Sequence, residues 1–442
     1  MMANRPNLVF ILADDLGYAD LGCTGARDVY NESIDVSPNL DAMARQGMRF
    51  THGYANSALC SPTRFALITG RWQYRLRGAA EEPLGHPDSK GLGLPVEHPT
   101  LPSLLKAAGY QTALFGKWHL GKPPLYGPRL SGYDEFFGCH SGGLDYFAHT
   151  DIRGNADLWH NEEKTDVDGY FTDLISERAV SFIENTAADK PFFISVHYTA
   201  PHWPWLTRDD RQESLHTADK GEHIDGGSVP IYQRMIHHMD EGIGQILQAL
   251  KYKGVEDNTL VVFTSDNGGE RFSNNWPLMG QKMDLLEGGI RVPLIAKWPQ
   301  KIRAGQVHNT PSLTMDWAAT LLAAAGVQAD SRYLLDGVDL SPAFEDIGWS
   351  RAGDLCWRMK HRQQKAIIRG DWKFLSMDGI EYLFNIATDV RERANLRWRE
   401  PEKLQELKTA WEAWHAQLPP IPDDARLLPV YSQQEMALST YG

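Results

Sequence analysis

Short apolar runs that stop at acidic or polar residues constrain the fold of this 442-residue chain more than any other feature. Leu8 to Ala13, Thr112 to Phe115, Phe192 to Val196, Leu260 to Thr264 and Leu294 to Ala296 are strand-sized and apolar throughout, without the alternation of a strand that has one wet face. Strands buried on both faces belong to a largely parallel or mixed sheet sandwiched by helices. Helical patterns occupy the gaps, and helices are predicted at Ser37 to Gly47, Thr100 to Ala108, Gly169 to Asn185, Pro230 to Tyr252 and Thr314 to Ala325. Gly47, Gly109 and Gly326 follow three of them as stops.

After about residue 350 the pattern changes. Ala366 to Ile368, Trp372 to Ser376 and Tyr382 to Asn385 are short segments separated by turn residues, which predicts a small antiparallel sheet. A polar amphipathic helix from Pro401 to Gln417 and a proline-rich tail follow. The length exceeds what one core usually supports, so the expectation is a large α/β domain over 1–350 and a small α+β subdomain over 351–442.

In open α/β sheets ligands collect beyond the carboxyl ends of the strands, so the residues ending each run are the candidate site. The run from Leu8 delivers Asp14-Asp15, and the run from Leu260 delivers Asp266-Asn267 after Ser265. Three carboxylates and an amide form an oxygen-only set suited to a hard cation such as Ca²⁺ and unsuited to zinc. Any one such pair could equally cap a helix or shape a turn; two pairs at the ends of two core strands favour the metal. The run from Thr112 delivers Lys117 and His119, two apart, so an extended segment would point both to one side. The run from Phe192 leads through His197 to His202 in a proline-bounded loop.

In the segment from Leu59 to Gly70, Pro62 suits the first turn of a helix and Gly70 its end. Cys60 then lies at a helix N-terminus, where free N–H groups favour an anion, and Arg64 shares its face. This reads as an anion pocket with a thiol nucleophile, or as a buried cysteine beside a surface arginine. Lys282, flanked by Gly280 and Gln281, could complete a cationic ring.

Cys60-x-Pro62-x-Arg64, Thr69-Gly70-Arg71, Gly116-Lys117-Trp118-His119-Leu120-Gly121 and Ser265-Asp266-Asn267-Gly268 together resemble the formylglycine-dependent (type I) sulfatase family of the alkaline-phosphatase-like superfamily. Gly288-Gly289-Ile290-Arg291-Val292-Pro293, the stretch Asp336 to Leu340 and the late Tyr382-Leu383-Phe384-Asn385 extend the resemblance along nearly the whole chain.

The resemblance implies that a maturation enzyme oxidises Cys60 to formylglycine, and that Ca²⁺ is held by Asp14, Asp15, Asp266, Asn267 and an oxygen of residue 60. It implies a sulfate ester substrate, a hydrated aldehyde as nucleophile with Asp266 assisting, and a sulfated enzyme intermediate. Arg64, Lys117 and Lys282 would hold the sulfate oxygens, His202 with Lys282 would serve the leaving alkoxide, and His119 would take the proton that lets the aldehyde re-form. Residues 1–350 would carry this chemistry.

A net charge of −13 excludes a nucleic-acid partner, which needs a basic surface. Four scattered cysteines, Cys23, Cys60, Cys139 and Cys356, indicate neither a zinc ribbon nor a disulfide framework. No apolar run is long enough to span a membrane, and Leu8 to Ala13 is too short for a signal core. As it stands the chain is expected in the cytoplasm, or in the periplasm or outside the cell once a leader has been removed. Trp72, Tyr74, Arg77, Trp159, His160, Trp203, Trp205 and Trp276 lie in polar or loop-like segments, where they suit a sugar ring or pack beneath loops. A sulfated carbohydrate is therefore the expected substrate, with aryl sulfates as surrogates. Three rivals stand: a formylglycine phosphonate monoester or phosphodiester hydrolase, a cysteine hydrolase using Cys60 with His119, and a non-catalytic sulfated-glycan binding protein.

Overall fold

The computed structural model describes residues 5–77, 79, 84, 91–218 and 226–425. In chain order the elements begin with β1 (Asn7–Ala13), α1 (Pro38–Gln46), β2 (Met48–Phe50), β3 (Gly53–Tyr54), α2 (Cys60–Thr69), α3 (Leu101–Ala107), β4 (Gln111–Lys117) and β5 (Glu135–Cys139). There follow β6 (Trp159–His160), β7 (Glu163–Lys164), α4 (Phe171–Asn185), β8 (Phe192–His197), α5 (Arg211–Thr217), α6 (Val229–Tyr252), β9 (Thr259–Ser265), α7 (Glu287–Ile290) and β10 (Leu294–Lys297). The remainder is β11 (Gln306–His308), β12 (Ser312–Leu313), α8 (Asp316–Ala325), β13 (Leu355–Arg358), β14 (Lys365–Arg369), β15 (Trp372–Met377), β16 (Ile380–Asn385) and α9 (Pro401–His415).

Ten strands form one mixed sheet in the order β11-β2-β10-β9-β1-β8-β4-β5-β6-β7. Its centre, β9-β1-β8-β4-β5, is parallel throughout, so five strands end on the same edge. β10 runs antiparallel to β9. The apolar runs explain why. Along β1, Val9, Ile11 and Ala13 pack with α1, α4 and α6 on one face, while Leu8, Phe10 and Leu12 pack with α2, α3 and α8 on the other. Burying five large apolar side chains on one strand at about 1.5–3 kcal/mol each fixes that strand firmly enough to hold costly charged groups at its end.

The predicted helices form with small shifts at their ends. Thr100 caps α3, its hydroxyl accepting from the Ser103 amide, and Gly326 stops α8 in the left-handed region at φ 65°. Gly47 stops α1 for a different reason. Its φ is −133°, and a Cβ there would lie 2.3 Å from the Ala296 carbonyl oxygen, so glycine is needed for the close approach to β10.

The small sheet is antiparallel, in the order β13-β14-β15-β16, and α9 packs on it. Its apolar side joins Tyr54, Ala58, Ala66, Leu285 and Ile290 of the larger unit in one continuous buried cluster. Of the expected tail, residues 426–442 lie outside the described residues. Among the described residues no helix is long and apolar enough to cross a membrane.

Candidate active site

The five parallel strands deliver polar residues to a single edge. β1 and β9 run in register with Ala13 opposite Ser265, so Asp14-Asp15 and Asp266-Asn267 leave the sheet side by side, all four fully buried. The Ser265 hydroxyl accepts from the Leu16 amide at 3.0 Å, and the Asp15 amide donates to Asp266 Oδ1 at 3.3 Å. Asp15 adopts φ 62°, in the left-handed region.

Cys60 opens α2 as predicted, and Gly70 closes that helix in the left-handed region. The Cys60 Sγ lies 3.8 Å from Asp15 Oδ1, and oxygens of Asp14, Asp15 and Asp266 and this sulfur all lie within 4.8 Å of one another. Burial, then the carboxylates of Asp14 and Asp266, push the thiol well above its ordinary pKa. Lys117 and Lys282 favour a thiolate there but are outweighed by burial and the carboxylates, whereas an oxygen at the Sγ position would face the same carboxylates as a fellow metal ligand.

Cations neutralise the acids one by one. Arg64 donates to Asp266 Oδ2 through Nε at 3.0 Å and Nη2 at 2.8 Å, and to the Lys117 carbonyl through Nη1 at 3.1 Å. Lys117 Nζ lies 2.5 Å from Asp14 Oδ2, and Lys282 Nζ lies 2.7 Å from Asp15 Oδ2. Burial works against the charge on Lys282, yet Asp15 and its acidic surroundings hold the ammonium protonated well above its ordinary range. The amide of Met283 donates to the Ala58 carbonyl at 2.8 Å, which ties the Lys282 segment to the approach to Cys60.

Asp14 Oδ1 and Asn267 Oδ1 are buried without a hydrogen-bond partner, although Arg64 Nη2 stands 3.7 Å from the former. Leaving buried oxygens unpaired costs roughly 1–3 kcal/mol each, which a cation between the two strand ends would offset. The donor set fits Ca²⁺.

Two histidines complete the site. His202 Nε2 is 3.5 Å from Asp15 Oδ2, and its Nδ1 is 2.6 Å from the Trp203 carbonyl oxygen. Burial and Lys282 lower its pKa to about 3. His119 is held well below its ordinary pKa by burial, Lys117 and Arg64, and its Nδ1 has no hydrogen-bond partner. Both imidazoles are therefore neutral. The expected extended path from Lys117 to His119 is not what forms. His119 has φ 55°, so a left-handed turn rather than strand alternation sets its ring, and its carbonyl accepts from the Ser61 hydroxyl at 2.9 Å.

Sequence reasoning missed the wall facing these rings. Gly142 and Gly143 follow β5 on the same edge; a Cβ on Gly142 would lie 2.6 Å from His119 Cε1, and one on Gly143 3.4 Å from His202 Cε1. The rule about strand ends would have found them had the apolar run Phe136-Phe137 been recognised as a strand. His197, named at the end of its run but given no role, lies 3.5 Å from Arg64 through its Nδ1. Also missed was Asp20, whose carboxylate accepts from the Tyr232 hydroxyl at 2.7 Å and the amides of Gly17 and Asn274, both at 2.8 Å. Of the aromatic candidates, Trp72 and Tyr74 are buried against Trp414, and Trp205 against Phe272, so these three are packing residues. Trp203 lies against the His202 ring, and Trp276 is exposed. All four cysteines are free.

Comparison with known proteins agrees with this geometry. The family described as "Sulfatase" matches residues 6–327. Human N-acetylgalactosamine-6-sulfatase is 36% identical over 358 residues; the match covers 76% of this chain and spans 65% of that relative's length. Among solved structures, Ps i-CgsB in complex with k-i-k-neocarrahexaose superposes with a TM-score of 0.82 at 30% identity, covering 98% of this chain and 96% of the other. A phosphonate monoester hydrolase of Agrobacterium radiobacter shares the fold at a TM-score of 0.64 and 21% identity, with 93% and 96% of the two chains covered. A family match over residues 6–327, joined to a relative 36% identical and a solved structure that covers 98% of the chain, assigns this chain to the sulfatase family of the alkaline-phosphatase-like superfamily.

Proposed function

We propose that this chain hydrolyses sulfate esters of carbohydrates to the alcohol and inorganic sulfate, with Cys60 matured to formylglycine by a separate enzyme and Ca²⁺ bound at Asp14, Asp15, Asp266, Asn267 and residue 60. The observation that carries this reading is the position of Cys60 Sγ. It stands where an oxygen of the matured residue would sit, between an oxygen-only acidic set and three buried cations. When bound, the cation supplies Lewis acidity, and the hydrated aldehyde supplies one hydroxyl for attack and a second for release.

The chain's own residues account for the rest. Arg64, Lys117 and Lys282 bind and orient the sulfate and oppose the charge that accumulates on its oxygens in the transition state. Their fixed pairing with Asp266, Asp14 and Asp15 means that they need no reorganisation when substrate arrives. Asp266 lies against the nucleophile position and accepts its proton. His202, with Lys282 beside it, stabilises the departing alkoxide. His119 is neutral at its buried position and takes the proton from residue 60 that frees sulfate. Residues 1–350 carry this chemistry, and residues 351–442 form the small C-terminal subdomain.

The sulfated-carbohydrate substrate is supported by the sugar sulfate in one relative's name and the oligosaccharide bound in another's structure. The thiol-nucleophile alternative is opposed by the three carboxylates around Cys60. The fold itself is shared with a phosphonate monoester hydrolase, so the deciding experiment compares substrates. Matured protein is assayed on matched aryl sulfates, phosphodiesters and phosphonate monoesters, with and without chelator. Chelator-sensitive release favouring sulfate supports the proposal. Preference for the phosphorus esters overturns it, and absence of all turnover in calcium-loaded, matured protein leaves a binding protein.

A further inference from the structure

Most arginines around the site have a carboxylate partner. Arg391 does not: among the described residues it makes no ion pair, and its Nε is buried without a hydrogen-bond partner. Its guanidinium lies instead 4.4 Å above the ring of Trp276. With that face covered, 59% of the Trp276 surface is still exposed, so the rest of the indole is open to solvent. A stacked arginine without a carboxylate partner, in a chain of net charge −13, is free to meet an anion from outside.

Both residues adjoin segments tied to those that carry the candidate active site. Asn275, next to Trp276, donates through Nδ2 to the carbonyls of Gly269 at 3.2 Å and Gly280 at 3.3 Å, so it ties together the segments that carry Asn267 and Lys282. Its Oδ1 lies 2.8 Å from where a Cβ on Gly17, two residues beyond Asp15, would stand. The Trp276 amide donates to Asn274 Oδ1 at 2.9 Å. On the other side, Glu392, next to Arg391, is anchored by an ion pair with Lys373 at 2.8 Å and by accepting from the Glu287 amide at 2.7 Å.

We propose that Trp276 and Arg391 form a second carbohydrate subsite that binds the sugar ring adjoining the sulfated one through a second anionic group, a sulfate or a uronate carboxylate. The proposal rests on the sulfated-carbohydrate reading above. The open indole surface takes the apolar face of the ring. The guanidinium fork, pre-ordered on the indole, takes two oxygens of the anion. One half of the subsite comes from the larger unit and the other from the small antiparallel sheet's following loop, so the subsite exists only because the two pack together.

The test separates binding from turnover. Calcium-loaded Cys60→Ala protein is titrated by calorimetry with disaccharides that carry one sulfate on galactose or N-acetylgalactosamine, each with no further charge, a second sulfate, or a uronate as the adjoining ring. The doubly anionic members are expected to bind about tenfold tighter, the scale of one charge-assisted hydrogen-bonded contact. Arg391→Met and Trp276→Ala are expected to abolish that ratio while melting as the parent does; Arg391→Lys and Trp276→Phe serve if the first pair fails to fold. An equal preference for second sulfate and uronate assigns the subsite to either anion, and a preference for one names it. A ratio near one in the parent, or a ratio unchanged in the variants, overturns the proposal. Aryl sulfate turnover by the unsubstituted, matured enzyme is measured in parallel. If that turnover is absent while an Arg391-dependent ratio persists, the subsite stands and the hydrolase reading falls.

Discussion

At the scale of single residues, the site depends on side chains that are absent as well as present. Gly142→Ala would drive a methyl group into the His119 ring, since the new Cβ would start 2.6 Å from Cε1. A displacement of that size costs a catalytic group on the order of 100-fold in kcat. We expect that loss in steady-state assays with a near-normal melting temperature, and near-normal kcat would remove His119 from the role given to it. Lys282→Ala is expected to lower kcat/KM on an aryl sulfate by about 100-fold or more, as for removal of a preorganised charge-stabilising donor. The proposed machinery was legible in the sequence because Asp14, Asp15, Lys117, Asp266 and Asn267 all sit where an apolar run stops. His119 was named in the sequence, but the turn that sets its ring, the close approach of Gly142 and the hydrogen bonds of Asp20 depend on backbone geometry, which residue types do not encode. The aromatic residues were the least legible, since Trp72 and Trp276 occupy similar polar sequence yet one is buried and the other exposed.

At the scale of elements, a buried charge cluster joins the two sheets. Lys373 on β15 lies 2.9 Å from Glu287 of α7 and 2.8 Å from Glu392, all three buried, and the Tyr54 hydroxyl donates to Glu287 at 2.8 Å. Lys373→Met leaves Glu392 buried without its cation and Glu287 with Arg291 alone, so denaturant melts should show a loss of about 3–5 kcal/mol. Unaltered stability would mean that the cluster does not hold the small sheet in place. The cluster also carries a pH signature. Burial raises the Glu392 carboxyl from 4.5 to about 7, so the folded state binds its proton more tightly than the unfolded chain does. Its contribution is fully present below about pH 4.5 and is lost as the pH rises through 7. Burial opposes the charge on Glu287, but Lys373 and Arg291 hold that carboxyl below its ordinary value, so its effect falls below this window. Melting temperatures of Glu392→Gln should therefore decline less steeply between pH 5 and 7.5 than those of the parent, and parallel curves would contradict the assignment. β1, β4, β8, β9 and β10 were legible as apolar runs. β5 was not, because Gly138 and Cys139 leave only two large apolar residues in it, and β13 was masked by the turn-rich texture around it.

At the scale of the whole molecule, a parallel strand edge gathers residues from sequence positions 14 to 282, and the ion pairs of Arg64, Lys117 and Lys282 hold the acids in place before any metal arrives. The chain should accordingly fold without calcium and gain stability on binding it, by about 2.7 kcal/mol at a hundredfold excess over Kd. Thermal melts with and without calcium test this, and Asp14→Ala should abolish the rise. The overall α/β class and the separate small sheet were readable from where the apolar texture changes; the shared core beneath the small sheet was not, because no local pattern shows which faces meet. Everything proposed for the site turns on residue 60 acting as a formylglycine. The most direct measurement prepares samples with graded conversion of Cys60, reads the aldehyde fraction by mass spectrometry of the peptide containing it, and records sulfate release from an aryl sulfate. Activity is expected to be proportional to the aldehyde fraction and to vanish with it; substantial release from fully unconverted protein, or none from fully converted, calcium-loaded protein across a broad sulfate ester panel, would overturn the formylglycine reading.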